Sequence, residues 1–220
     1  PQLPKPPQQQ QQQPTPRPAI VYCIEAMPST FTVLNRTVKQ LEWQDSLKVH
    51  HAAIADSDGE TLFPNAMVGT EHLGMDACSN KRWRKECESV PQYKLDTFVQ
   101  KFVNAKDPII DFLSVDVEGF DWPVLLGATK TLQLTKYLEF EYHQVGAWQQ
   151  YKLSTAILSL HQKGFVCYWA GQDGRLWRIT DCWMDHYDTE KQWSNVACVN
   201  LDLAPTLAMR MEDVFLKTLA

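Results

Sequence analysis

Acidic side chains stand at the ends of three apolar segments of this sequence, and a histidine accompanies one of them. The residues are Glu25, Asp116, Glu118, Glu141 and His143. A carboxylate at the end of a strand can accept the ribose hydroxyls of a nucleotide-type cofactor, and it can take a proton from a reacting hydroxyl. Histidine is the usual proton acceptor near neutral pH. The pattern predicts a cofactor or acid–base site, with solvated surface acids as the alternative.

The spacing within two of these segments places the side chains on common faces. Asp116 and Glu118 are two residues apart, and on an extended strand such residues share one face. Glu141 and His143 have the same spacing. Gly119 follows directly, which indicates a point where the backbone needs unusual dihedral angles. Four residues of this kind could also bind a divalent metal, but our prediction is a site without one.

Apolar runs that predict strands alternate with segments of helical periodicity. Strands are predicted over 19–25, 47–54, 109–117 and 136–142, and helices over 29–42, 95–104 and 123–134. This alternation is typical of a parallel α/β sheet, in which the carboxyl ends of the strands meet at one edge. The acidic residues are therefore expected to converge there. The strand over 109–117 is the clearest, and we predict that it is buried.

The C-terminal third of the chain indicates antiparallel strands. Residues 165–170 and 175–179 flank the turn sequence GQDG and predict a hairpin. Residues 196–201 predict a last strand, and 206–218 a final helix. The predicted fold class is therefore α/β: a doubly wound, Rossmann-like, mostly parallel sheet with antiparallel strands at its C-terminal edge.

Composition and charge restrict the classes of function. The chain is 44% hydrophobic and 21% charged, which is typical of a globular domain. Its net charge of −5 argues against nucleic acid as a partner, because phosphate binding requires clustered Lys and Arg. No apolar run approaches the roughly 18 residues of a membrane-spanning helix. Residues 1–18 are mostly Pro and Gln and predict a disordered linker, followed by one domain over 19–220.

The polar stretch 65–92 predicts a long loop. Cys78 and Cys87 flank part of it, and they can form a disulfide in an oxidising compartment or remain free thiols. The basic segment 81–85 between them could contact an anionic substrate, or it could be a solvated loop. Cytoplasmic and secretory-lumen locations both remain open, as does the oligomeric state.

Six segments resemble, in order and spacing, the motifs of the FkbM family of methyltransferases. Residues 111–120, DFLSVDVEGF, are similar to the family signature D-x-L-x-x-D-x-E-G. The other segments are 24–28 (IEAMP), 52–59 (AAIADSDG), 95–96 (LD), 124–128 (VLLGA) and 138–143 (LEFEYH). The resemblance extends over about residues 20–145, and its specificity comes from the preserved order of the segments.

The resemblance implies S-adenosylmethionine as cofactor and a hydroxyl oxygen as methyl acceptor. By position, Glu25 would bind the ribose, Ala53 would border the adenine, and Asp116 would lie near the methionine end. We add Glu141 to the cofactor-binding residues. The proton acceptor would be a residue of the set Asp116, Glu118 and His143. The acceptor molecule would be a small molecule or a carbohydrate.

The sequence departs from the family at its N-terminal motif. The family begins with a strand and a glycine-rich turn similar to D-x-G-A-N-x-G, whereas this chain has no glycine before Gly59. We therefore expect the first strand and helix to be missing. Because that strand lies between those ending at Glu25 and Asp116, these two must either meet directly or leave exposed edges. A fragment and a degenerate paralogue are both compatible with the pattern.

Three hypotheses about function follow. The first is an S-adenosylmethionine-dependent O-methyltransferase, for which the retained acids Glu25, Asp116, Glu118 and Glu141 argue. The second is a non-catalytic domain that keeps the fold as a binding module, for which the absent glycine-rich turn argues. The third is another nucleotide-cofactor enzyme, such as a dehydrogenase, which the Asp-x-Glu-Gly strand and the terminal hairpin fit less well.

Overall fold

A computed structural model describes residues 19–70, 73–79, 85–103 and 108–219. The predicted linker over 1–18 lies outside this part of the chain, as do residues 81–84 of the basic segment.

The first sheet holds two parallel strands. β1 (Val21–Glu25) pairs with β2 (Leu47–His51), in a register that places Glu25 beside His51. Helix α1 (Pro28–Gln40) connects them. Pro28 occupies its first turn, where the fixed φ of proline suits the helix and its missing N–H costs nothing. The strand predicted over 19–25 and the helix predicted over 29–42 are confirmed.

The second sheet has three strands and corrects two predictions. It contains β3 (Ala53–Ala55), β4 (Gly59–Pro64) and β5 (Cys87–Lys94), with β5 in the middle, parallel to β3 and antiparallel to β4. The single strand predicted over 47–54 is wrong, because the chain leaves the first sheet at Ala52. The loop predicted over 65–92 is wrong from residue 87 onward.

The largest sheet has five strands. They are β6 (Ile110–Val115), β7 (Thr135–Tyr142), β8 (Phe165–Ala170), β9 (Leu176–Arg178) and β10 (Ser194–Asn200). Their order is β6-β7-β10-β8-β9, with β6 and β7 parallel and the remaining pairs antiparallel. The mixed α/β class and the antiparallel C-terminal strands are confirmed. The prediction of one mostly parallel sheet is not, since four of the seven pairings among the described strands are antiparallel.

Five further helices complete the domain. They are α2 (Leu95–Phe102), α3 (Asp121–Leu126), α4 (Thr129–Leu132), α5 (Leu153–His161) and α6 (Pro205–Thr218). The one helix predicted over 123–134 is divided between α3 and α4, because the Asp96 carboxylate caps a new helix start. It accepts the N–H groups of Lys130 and Thr131 at 2.7–3.0 Å. Within the described residues, no helix is both long and apolar enough to cross a membrane.

The main hydrophobic core lies on one face of the five-stranded sheet. Its largest fully buried side chains include Phe98, Phe140, Tyr142 and Trp148. A disulfide between Cys167 and Cys198 joins directly opposed residues of β8 and β10, and both cysteines are completely buried in this core. A second, smaller core forms where α6 covers the other face of β8 and β10.

In the described part of the chain, β1 and β6 each lie at an open edge of their sheet. Among the described strands, β1 pairs only with β2 and β6 pairs only with β7. The side chain of Phe112 on β6 is 58% exposed and that of Val21 on β1 is 55% exposed. The prediction that the strand over 109–117 is buried is therefore wrong. Of the two arrangements expected for strands that lack a partner between them, the structure shows exposed edges.

Candidate functional site

A cavity of about 330 Å³ opens where β1 and β6 end and β3 begins. Its volume is at the lower end of the range for small-molecule sites, about 300–1,000 Å³. Four residues predicted from the sequence line it: Glu25, Ala53, Asp116 and Glu118. Residues of all three sheets therefore line one cavity, and the carboxyl ends of β1 and β6 meet there, whereas that of β7 does not line it.

Glu25 is the last residue of β1 and is half-buried. Its Oε1 accepts the backbone N–H of Met27 at 2.7 Å, just before α1 begins. This hydrogen bond fixes the carboxyl group at the strand end. At this position the carboxylate can accept hydrogen bonds from the hydroxyl groups of a ligand in the cavity.

Ala53 forms part of the floor of the cavity. Only 3% of it is exposed, and the neighbouring Ala52 is equally buried and also lines the cavity. Both side chains end at Cβ, so they leave room for a ligand group against an apolar part of the lining.

Asp116, Glu118 and Gly119 form the turn that follows β6, which we call the acidic turn (residues 116–119). Asp116 is exposed, whereas Glu118 is half-buried. Glu118 has a φ of 54° and Gly119 a φ of 88°, so two successive residues adopt left-handed backbone conformations. For a non-glycine residue this conformation costs of order 1–3 kcal/mol and is concentrated at functional sites. The turn thereby directs two carboxylates toward the cavity region.

Glu141 and His143 lie behind the acidic turn and are not part of the cavity lining. His143 is completely buried, and its ring stacks on Trp193 with centroids 3.9 Å apart. The indole N–H of Trp193 donates to Glu141 Oε2 at 2.9 Å, and that oxygen is 3.7 Å from His143 Nε2. A Cβ on Gly119 would meet His143 Cε1 at 3.0 Å, so the imidazole supports the turn directly.

The hydrogen bonds of His143 define its tautomer. The backbone N–H of Val145 donates to His143 Nδ1 at 3.3 Å, so Nδ1 carries the lone pair and Nε2 carries the proton of the neutral ring. The ring nitrogen that could accept a proton therefore already accepts a hydrogen bond from the backbone. In this geometry the ring packs against the acidic turn and lies beside Glu141.

Asp121 is a site residue that the sequence reasoning missed. It is completely buried in the first turn of α3, and its Oδ1 accepts the backbone N–H of Glu141 at 3.1 Å. Its Oδ2 is buried and has no hydrogen-bond partner among the described residues. Burial raises the pKa of Asp121 to about 7, and the charges of Glu141 and Asp116 act in the same direction. From sequence, an acid in the first turn of a helix resembles an ordinary surface residue.

The geometry gives no indication of a bound metal. Among the described residues, no group of three or more His, Cys, Asp and Glu side chains is placed to hold a metal ion. The absence of a metal from the reaction stays a prediction.

Comparison with known protein families places these motifs in context. The model of the methyltransferase FkbM domain matches residues 17–167, which is more than half of the chain. The chain belongs to the FkbM methyltransferase family. Comparisons with curated proteins and with solved structures found no match.

Two FkbM motif residues have structural roles. Asp96 caps α4, as described above. Gly127 lies against the end of β3, where a Cβ would stand 2.3 Å from the carbonyl oxygen of Ala55. Only a residue without a side chain allows this approach. The motifs of this FkbM domain therefore divide into residues that line the cavity and residues that hold the surrounding elements together.

Proposed function

We propose that this FkbM domain is an S-adenosylmethionine-dependent methyltransferase that modifies a hydroxyl oxygen of a small molecule or a carbohydrate. Membership of the family supports methyl transfer. The observation that carries the proposal is that Glu25 and Asp116, from two different sheets, line one cavity together with Ala53. We propose no nucleic acid as substrate, in keeping with the net charge of −5.

The cavity offers a different chemical environment for each part of the cofactor. The carboxylate of Glu25 would accept the ribose hydroxyls, and the small side chain of Ala53 would border the adenine. Asp116 would lie at the methionine end. Bound there, S-adenosylmethionine would supply the methyl group, with the methyl carbon open to in-line attack by the acceptor oxygen and S-adenosylhomocysteine as the leaving group. The contribution of the chain is mostly to position the two reactants and to exclude water.

Asp116 is our proposed proton acceptor. Its carboxylate is exposed at the cavity, so a hydroxyl of the acceptor can reach it. Glu118 is less suitable because its Oε2 is buried, and His143 because Nδ1 accepts from the backbone. As the O–CH₃ bond formed, the S–CH₃ bond would break to release S-adenosylhomocysteine, and the proton of the acceptor hydroxyl would pass to Asp116.

Calorimetric titration with S-adenosylhomocysteine tests the cofactor proposal. Glu25→Gln keeps a carbonyl oxygen for the Met27 N–H but removes the charge. We expect its affinity to fall about 10- to 100-fold, the value of hydrogen bonds to a charged group. Glu60→Gln is the matched control, because Glu60 is exposed on β4 and does not line the cavity. Equal affinities of the two variants would contradict the role of Glu25.

A non-catalytic binding domain remains the second candidate, and the open edges of β1 and β6 favour it. Exposed edges offer unpaired backbone groups to another chain. Incubation with S-adenosylmethionine and a panel of hydroxylated small molecules and sugars separates the candidates. Release of S-adenosylhomocysteine that depends on the acceptor supports the enzyme. Binding of the cofactor without release for any acceptor supports the binding domain.

A further inference from the structure

One wall of the cavity belongs to no strand or long helix. Leu73 and Met75 line it, and the short turn that follows carries Cys78. We call residues 73–79 the wall segment. Cys78 forms a disulfide with Cys87, the first residue of β5. The wall segment is thus joined covalently to the middle strand of the second sheet.

The wall segment touches the acidic turn at a buried glycine. A Cβ on Gly74 would stand 3.1 Å from the carbonyl oxygen of Glu118 and 3.1 Å from a ring carbon of Phe120. Backbone therefore packs directly on backbone between the two segments. Any displacement of Gly74 would change the space around the backbone of Glu118 and the ring of Phe120.

Among the described residues, three kinds of non-covalent contact hold the wall segment. Leu73 and Met75 are partly buried, and they pack on a small cluster formed by Met27, Phe63, Ala66 and Val90. The N–H of Ala77 donates to the Gly74 carbonyl and that of Ser79 to Asp76, and the short helix over Ala77–Ser79 contacts β4. The disulfide adds a covalent link to these contacts and fixes the distance between Cys78 and the start of β5.

We propose that the Cys78–Cys87 disulfide is a positioning element of the cofactor site: it holds the wall segment against the acidic turn and so keeps the cavity in its binding shape. The inference rests on the proposed function for the identity of the ligand. It predicts that breaking this one bond weakens cofactor binding while the fold persists.

The second disulfide provides an internal contrast. Cys167 and Cys198 are completely buried, whereas Cys78 and Cys87 are both partly exposed. A dithiol reductant reaches exposed disulfides first. Dithiothreitol gives two electrons and two protons to the Sγ–Sγ bond, which leaves two thiols on the protein and a cyclic disulfide on the reagent. Mild reduction therefore opens Cys78–Cys87 before Cys167–Cys198.

The experiment compares S-adenosylhomocysteine binding by the oxidised chain, the mildly reduced chain and the double variant Cys78→Ser/Cys87→Ser. We expect the dissociation constant to rise about tenfold in the last two, equivalent to about 1.4 kcal/mol. Cys182→Ser is the control, since Cys182 is an exposed free thiol far along the chain. Circular dichroism and cooperative unfolding show that each protein is folded. Unchanged affinity after the bond is broken would overturn the proposal.

A second measurement separates this inference from the proposed function. Hydrogen–deuterium exchange of peptides over 73–79 and 116–120 is recorded without ligand, before and after the disulfide is opened. Faster exchange in both peptides, with β7 and β10 unchanged, supports the positioning role; unchanged exchange contradicts it. If the oxidised chain does not bind S-adenosylhomocysteine at all, the proposed function fails, and the exchange result alone decides the role of the disulfide.

Discussion

Gly119 lies against the backbone of Val145 so closely that a Cβ on the glycine would stand 2.4 Å from the Val145 carbonyl oxygen. Gly119 follows β6, and Val145 follows β7. The N–H of Ala147 donates to the carbonyl of Gly119 at 2.9 Å, which closes the contact from the other side. The two turns are therefore one unit, and the carboxylates of the acidic turn owe their position to the loop after the neighbouring strand.

This contact predicts a large effect of Gly119→Ala. The substitution adds a clash with Val145 to the strain of a φ of 88°. We expect a loss of about 3 kcal/mol in the free energy of unfolding, measured with urea, because both mechanisms act together. Gly174→Ala is the matched control: its φ is 69°, but nothing lies within 4 Å of the added Cβ. Strain alone should cost about 1 kcal/mol there. Equal losses at the two positions would show that the contact is unimportant.

Asp121→Asn should change how stability depends on pH. The pKa of Asp121 is raised from 3.8 to about 7 in the folded state, chiefly by burial. The folded chain therefore binds the proton more tightly than the unfolded chain, and stability falls as pH rises from about 4 to about 7. Asparagine keeps an oxygen for the Glu141 N–H without this titration. We expect the variant to gain up to about 4 kcal/mol relative to the parent above pH 7, and little at pH 4.

The groups that face Asp121 are the same in both proteins. They are Asp116 on the acidic turn and Glu141 on β7, so the effect of their charges on Asp121 is common to both proteins before the substitution is made. Urea unfolding at pH 4.5 and pH 8 measures the difference in stability between parent and variant. These two pH values bracket most of the expected change. Parallel stability curves for parent and variant would mean that the buried carboxyl group titrates normally.

The cavity residues that follow apolar strands could be predicted from the sequence. Glu25 and Asp116 each end a β-branched, apolar run, and the α/β pattern brings such ends to one edge. The role of Asp121 could not be predicted from the sequence, because its burial depends on a contact with Glu141, 20 residues away. An acidic residue at the start of a helix is common on protein surfaces. The same limit applies to β5: Val90 is completely buried beside Pro91, yet the polar residues around them predict a loop. Pairings between distant segments leave little local signal.

Asp116→Asn tests the proposed proton acceptor. With a hydroxylated acceptor identified, we expect kcat to fall about 100-fold, the lower value for loss of a general base, while S-adenosylhomocysteine affinity changes much less. Asp111→Asn is the control on the same strand, since Asp111 is exposed and pairs with Lys136 away from the cavity. His143→Asn, in contrast, should lower stability and kcat together, because the ring supports the acidic turn. A larger kcat loss in a stable His143 variant would identify histidine as the base instead.

The cysteines give a direct check of both disulfides. Four of the six are paired, and Cys23 and Cys182 remain as thiols. Cys182 is exposed, whereas burial, with the charge of Glu25 next in effect, raises the pKa of the Cys23 thiol. Since the thiolate is the reactive form, iodoacetamide should add quickly to Cys182 and slowly to Cys23 in the native chain. Mass spectrometry should find two adducts after denaturation and six after reduction as well. Six adducts without reductant in a freshly purified chain would contradict both bonds.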